Sequence, residues 1–130
     1  MKAERWLALS AVLIMLAVGL GAFGAHGLEK LISAKQMETW QTAVLYHFVH
    51  GLALLGLSLA SLIKPTLAFR GVKAGILLGL VLFSGSLYMW VLTGWPWLVF
   101  LTPMGGVIWL AVWSGLAYQA WSLSRHQKPN

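Results

Sequence analysis

A chain of 130 residues with 59% hydrophobic and only 9% charged side chains, at a mean hydropathy of +0.79, is not a soluble domain, where charged residues run at about 25%. Its net charge of +6 does not indicate nucleic acid, because the nine Lys and Arg residues lie in short loops beside long apolar runs, where they orient a membrane chain. The absence of cysteine excludes disulfides, iron–sulfur clusters and thiolate metal sites, and the fourteen glycines suit helices that must approach closely inside lipid.

Lys2, Glu4 and Arg5 precede Trp6 to Ala25, an apolar run of 20 residues. A secretory leader also starts basic, but its apolar core is about 7–15 residues long, so the run is read as a retained first span over residues 6–26. Ala17, Gly21 and Ala25 recur every fourth residue and predict a close-packing ladder. His26-Gly27 predicts the helix end, with Gly27 left-handed and His26 beside the negative pole. Leu28, Leu31 and Ile32 then offer an apolar edge to the interface, and Ser33 with Gln36 predicts a capping box.

The second span, over 40–63, belongs to a charge-free run of 25 residues from Thr39 to Ile63. As a helix that run is roughly 37 Å long, enough to cross a hydrocarbon core of about 30 Å. Lys64-Pro65 closes it. Within it Tyr46 and His50, four residues apart, share one face, and His47 lies on the edge of that face. Lipid satisfies none of their polar atoms, so they either bond neighbouring helices or hold a ligand.

Ala74 to Ser124 is a further 51 residues without formal charge, too many for one crossing. Thr93-Gly94-Trp95-Pro96 is the turn that divides it. The third span, 71–92, carries Gly71, Gly75 and Gly79 as a seam for packing inside the bundle or between copies of the chain, and then the polar stretch Phe83 to Tyr88. The fourth, 97–122, is interrupted at Thr102-Pro103-Met104-Gly105-Gly106. Two forms fit: a helix kinked at Pro103, or a short interfacial piece followed by a helix capped by Thr102 with Pro103 in its first turn. Trp109 and Trp113 are read as packing residues. Trp6 and Trp121 are assigned to one interface, and Trp40, Trp95 and Trp97 to the other.

Four crossings place Lys2, Arg5, Lys64, Arg70, Lys73, Arg125 and Lys128 on one side, seven of the nine basic residues, against Lys30 and Lys35. The expectation is an all-α integral membrane protein, one domain over 1–130, four transmembrane helices in one up-down bundle, with both termini cytoplasmic. Depths follow from the helical rise. His26, Tyr46, His50, Ser84, Ser86, Tyr88, Thr102, Gly105 and Gly106 all fall in the outer half, as one polar layer, while Gly21, Ala25, Gly71, Gly75 and Gly79 serve helix packing.

GAFGAHGL at 21 to 28, Tyr46-x-x-x-His50, FSGSLY at 83 to 88 and TPMGG at 102 to 106 together resemble a small four-helix inner-membrane family of unknown function that includes YgdD-like and YwdK-like bacterial proteins and a mitochondrial relative. The resemblance implies a four-span fold in a bacterial inner membrane and supplies no catalytic residues. Such proteins often carry glutamine where this chain has His47.

Three functions are weighed on the residues. The first is a non-enzymatic accessory or interaction protein whose polar layer docks a membrane partner or a lipid-like molecule, alone or as a homo-oligomer, without a cofactor. The second is a haem or metal protein ligated through His26, His47 or His50. The third is a small proton-coupled transporter; it lacks any aspartate, and Glu4, Glu29 and Glu38 all lie outside the spans, so only a histidine relay is available to it. No nucleophile pairs with a histidine and an orienting acid, so an enzyme is not expected.

Overall fold

The structure, a computed structural model, describes residues 1–126; Lys128, assigned to the basic end of the bundle, lies outside the described residues. Four helices of 26, 30, 24 and 31 residues follow one another, each long and apolar enough to cross a membrane. We label them α1 (Ala3–Leu28), α2 (Ala34–Ile63), α3 (Arg70–Thr93) and α4 (Leu101–His126); the 31 residues of the fourth stretch are the 26 of α4 and the five of the 3₁₀ turn, Pro96–Phe100, that leads into it.

Each helix packs antiparallel on the next, so α2 and α3 form the central pair, flanked by α1 and α4. Trp6 of α1 reaches across to Leu54 and Ile76 at one end, and His50 of α2 reaches α4 at the other level. Leu28, Trp40, Ala43, Tyr88 and Val91 form a second core nearer the opposite end.

The α1–α2 contact is close because small residues meet large ones. A Cβ on Gly21 would lie 3.3 Å from Val44, one on Gly51 3.1 Å from Ile14, and one on Gly24 2.6 Å from the Trp40 indole. The predicted ladder changes register here. The last turn of α1, Gly24–Leu28, is a π turn, and its extra residue rotates the end of the helix relative to the turns before it. Gly24, seven residues after Ala17, returns to within about 20° of its face and packs on α2, whereas Ala25 lies about 100° further round and is exposed, not part of the helix–helix seam. Gly27 is not a left-handed cap either: the helix continues to Leu28, and a Cβ at Gly27 would lie 2.8 Å from the ring of the half-exposed Phe23. Trp40, assigned to the interface, is instead core, 1% exposed, with its indole N–H donating to the Leu20 carbonyl at 2.8 Å.

Ser33 and Gln36 form the predicted capping box at the start of α2. Lys64 ends that helix in an extended conformation, as Pro65 requires. Gly94, at φ 71°, caps α3 in the left-handed region that glycine enters at least cost. Of the two forms drawn for the fourth span, the broken one is present. The 3₁₀ turn leads into a helix that starts at Leu101, so Pro103 sits in the first turn, where no amide donor is required of it. Thr102 lies inside that turn and does not cap it.

The glycine seam of α3 is spent within the chain. A Cβ on Gly75 would meet Val112, and one on Gly79 would meet the Trp109 indole, both from α4. Gly71 has open space around it and takes no part. Of the two uses read for this seam, packing inside the bundle is the one Gly75 and Gly79 serve.

Candidate functional site

At its middle α3 opens into a second π turn, Val81–Gly85. This turn is the hub of the polar layer. On one side Ser84, fully buried, donates to the Ala43 carbonyl of α2 at 2.8 Å. On the other, Gly105 of α4 lies so near that a Cβ would be 2.6 Å from the Phe83 amide nitrogen and 2.8 Å from the Gly79 carbonyl oxygen. Ser86 bonds back to the Phe83 carbonyl at 2.9 Å and to the Thr102 hydroxyl at 2.6 Å, tying α3 to the start of α4. Gly106 has room, with its nearest neighbour at 3.8 Å on the Phe83 ring.

The two histidines of α2 point into different networks. His47 Nδ1 is hydrogen-bonded to the Tyr88 hydroxyl at 3.0 Å, and Tyr88 in turn packs against Trp40 with ring centroids 4.8 Å apart. The other nitrogen, Nε2, is buried without a hydrogen bond. His50 turns toward α4. Its Nδ1 meets the Tyr46 carbonyl at 2.9 Å, and its Nε2 accepts from the Trp113 indole N–H at 3.1 Å. A carbonyl only accepts and an indole N–H only donates, so His50 is held as the neutral tautomer protonated at Nδ1. Its ring lies flat on Trp109, centroids 3.6 Å apart and planes 5° from parallel. Trp109 is fixed by its own N–H, which donates to the Ile76 carbonyl at 3.1 Å.

Tyr46 completes this second group. Its ring packs 4.8 Å from Phe83 and 5.8 Å from Trp109, and it shares the face of His50 as the four-residue spacing predicts. It is 41% exposed, comparable to Trp113, and its hydroxyl bonds to no described residue. Above it, Thr39, Leu87, Trp90, Val99, Thr102 and Pro103 line a cleft of about 420 Å³ between α2, α3 and the start of α4. Thr39 and Tyr46 are seven residues apart, so cleft and phenol lie on one face of α2.

The predicted layer is therefore partly assembled. Tyr46 and His50 converge on one site, Ser84 and Ser86 hold its frame with Thr102 and Gly105, and Tyr88 belongs to the His47 network behind it. His26 joins neither: it is exposed in the π turn of α1, with no hydrogen bond to a described residue. Phe83, Trp109 and Trp113 belong to the site although none stands in the predicted layer. A signal for the two tryptophans is present in the sequence, since Trp109 and Trp113 repeat the spacing of Tyr46 and His50 on the facing helix. Neither histidine of α2 offers a free nitrogen on a cavity, the two do not form a relay, and among the described residues no three His, Asp or Glu side chains converge.

Four apolar helices joined by short loops, with buried side-chain bonds between neighbours, define a small polytopic α-helical membrane protein. The chain belongs to the family described as "Protein of unknown function (DUF423)", which matches residues 20–106. It is similar to the UPF0382 inner membrane protein YgdD of Escherichia coli (strain K12), 39% identical over 125 residues that cover 96% of this chain and 95% of the relative. It is also similar to the UPF0382 membrane protein YwdK of Bacillus subtilis (strain 168), 44% identical over 112 residues, 83% of this chain and 89% of the relative. A UPF0382 membrane protein of Staphylococcus epidermidis (strain ATCC 12228) is 46% identical over 110 residues, 83% and 88% of the two chains. No solved structure matches.

Proposed function

We propose that the protein is a non-enzymatic accessory membrane protein that docks a membrane partner or lipid-like molecule on the aromatic face formed by Tyr46, Phe83 and Trp109. The observation that carries this is the Tyr46 hydroxyl. A phenol inside hydrocarbon is costly without an acceptor, and the hydroxyls of Ser84, Ser86, Thr102 and Tyr88 all have a partner within the chain. Tyr46 alone among these hydroxyls presents its donor outward, so the acceptor comes from another molecule. The cleft above it supplies an apolar bed for that molecule. The hydroxyls of Ser84, Ser86 and Thr102 bind backbone carbonyls or one another, with no histidine beside them, which supports binding over hydrolysis.

The test is extraction of the tagged protein from its native membrane in mild detergent, followed by mass spectrometry of protein and lipid together. Tyr46→Phe keeps the ring packing and removes the donor. The expected result is a stoichiometric component that falls by roughly fivefold to tenfold in Tyr46→Phe, the worth of a hydrogen bond of about 1 kcal/mol or a little more. Identical material from both proteins would remove the docking reading.

For orientation, six described basic residues, Lys2, Arg5, Lys64, Arg70, Lys73 and Arg125, stand at one end of the bundle against Lys30 and Lys35 at the other, which supports an N-in, C-in arrangement. The chain has no cysteine, so single cysteines report cleanly. An impermeant thiol reagent added to intact cells is expected to label Lys30→Cys and to spare Thr66→Cys; the reverse pattern would invert the topology.

A further inference from the structure

At the other end of the bundle from the aromatic face, a lysine lies inside the protein. Lys73, in the first turns of α3, is 2% exposed, and its ammonium donates to the Ser61 hydroxyl of α2 at 3.1 Å. The same ammonium stands 5.7 Å from the centre of the Trp6 ring of α1. Ser61 adds no negative charge: its oxygen also lies 2.9 Å from the Leu57 carbonyl and 2.7 Å from that of Leu67. An ammonium has three donors, and a buried cation without an anion is retained only at a cost. Among the described residues the single ion pair is Lys35–Glu38 in the first turn of α2, at the opposite end of the bundle, and Glu4, which follows the Lys2 and Ala3 of the cavity wall, is exposed and unpaired.

The surroundings add more positive charge. Arg70 precedes Lys73 by three residues and shares its face. Lys2, Ser61, Pro65, Arg70 and Lys73 line one cavity of about 160 Å³, the room of several waters or one phosphate group. The start of α3 has no side-chain cap, so its first amides are left to solvent or to a ligand. Phe69, which begins that helix, is held at φ 47°, a left-handed conformation that an aromatic residue adopts only under constraint. Three cations, one of them buried, around a small polar cavity where three helices end fit an oxyanion in the headgroup zone.

We propose that Lys73, with Arg70 and Lys2, binds a phosphate group at this end of the bundle. The shared chemistry is a phosphate oxygen accepting from the Lys73 ammonium, and its sources are the phosphodiester of an anionic lipid or free inorganic phosphate. Neither the aromatic face nor its occupant enters this assignment.

Purified full-length protein in neutral detergent is offered phosphatidylglycerol or phosphatidylcholine and examined by native mass spectrometry, and its thermal unfolding is followed with inorganic phosphate. Wild type is expected to retain phosphatidylglycerol over phosphatidylcholine by about fivefold or more, the worth of one basic contact at a membrane surface. Lys73→Gln, which still reaches Ser61, loses that preference, while Lys73→Arg keeps it. Arg70→Gln alters an exposed residue and weakens the preference even if Lys73→Gln folds poorly. A rise in unfolding temperature with phosphate, absent in Lys73→Gln and without a lipid preference, assigns the site to the free anion. Equal binding of the two lipids with no effect of phosphate overturns the proposal, as does a preference that survives both Lys73→Gln and Arg70→Gln.

Discussion

Gly105→Ala is expected to destabilise the protein by about 3 kcal/mol, while Gly106→Ala, one residue on, changes stability by less than about 0.5 kcal/mol. The contrast follows from what each new methyl meets. At Gly105 it strikes the backbone of α3 at Phe83 and Gly79, and backbone inside a helix does not step aside. At Gly106 the nearest atom is 3.8 Å away and belongs to a ring that can turn. Because the π turn of α3 and the first turn of α4 meet at Gly105, the methyl also pulls apart the Ser86–Thr102 bond. Reversible unfolding from mild detergent into sodium dodecyl sulfate measures both variants. Equal stability of the two would mean that α3 and α4 are not in backbone contact at this level.

Trp109→Ala is expected to cost about 3 kcal/mol, the low end for removing a buried tryptophan. Lipid is as apolar as the protein interior, so no transfer term is lost; the cost is the cavity, the stack on His50 and the bond to the Ile76 carbonyl. The same residue explains Gly79. A methyl there collides with the Trp109 indole, so Gly79→Ala is destabilising in the wild type. In Trp109→Ala that methyl enters the vacated space and is neutral or stabilising. The two changes are therefore coupled, by at least about 1 kcal/mol in a double-mutant cycle. Additive costs would contradict the packing described.

Much of the fold is written in the spacing of charge and apolar runs. Thr39 to Ile63 without a charge, the Ser33–Gln36 box, Gly94 before Trp95-Pro96 and Pro103 after Thr102 each act locally, and each stands where the local rule puts it. The two π turns are not legible in this way. Gly24–Leu28 and Val81–Gly85 each contain one residue more per turn than the α period assumes, and nothing in their composition announces it. Ala25 drops out of the α1–α2 seam for a simpler reason: a four-residue ladder drifts about 40° at each step, so Gly24, seven residues after Ala17, is the residue under Trp40.

The site shows the same division. The shared face of Tyr46 and His50 follows from four-residue spacing on one helix, whereas the separation of His47 from His50 depends on where α1 and α4 lie. Spacing alone puts Lys73 among the loop cations, because a lysine near a span end ordinarily reaches the headgroups. Its burial depends on Trp6 and Ser61, which come from two other helices.

The central claim is that Tyr46 faces a bound molecule. A photoreactive benzoylphenylalanine placed at Tyr46, or as a control at Leu110, which is 70% exposed on α4, tests it in native membranes. Irradiation is expected to give a discrete crosslinked product from position 46 and only diffuse lipid adducts from position 110. The same diffuse adducts from both positions would show that the Tyr46 face meets ordinary bilayer and docks nothing.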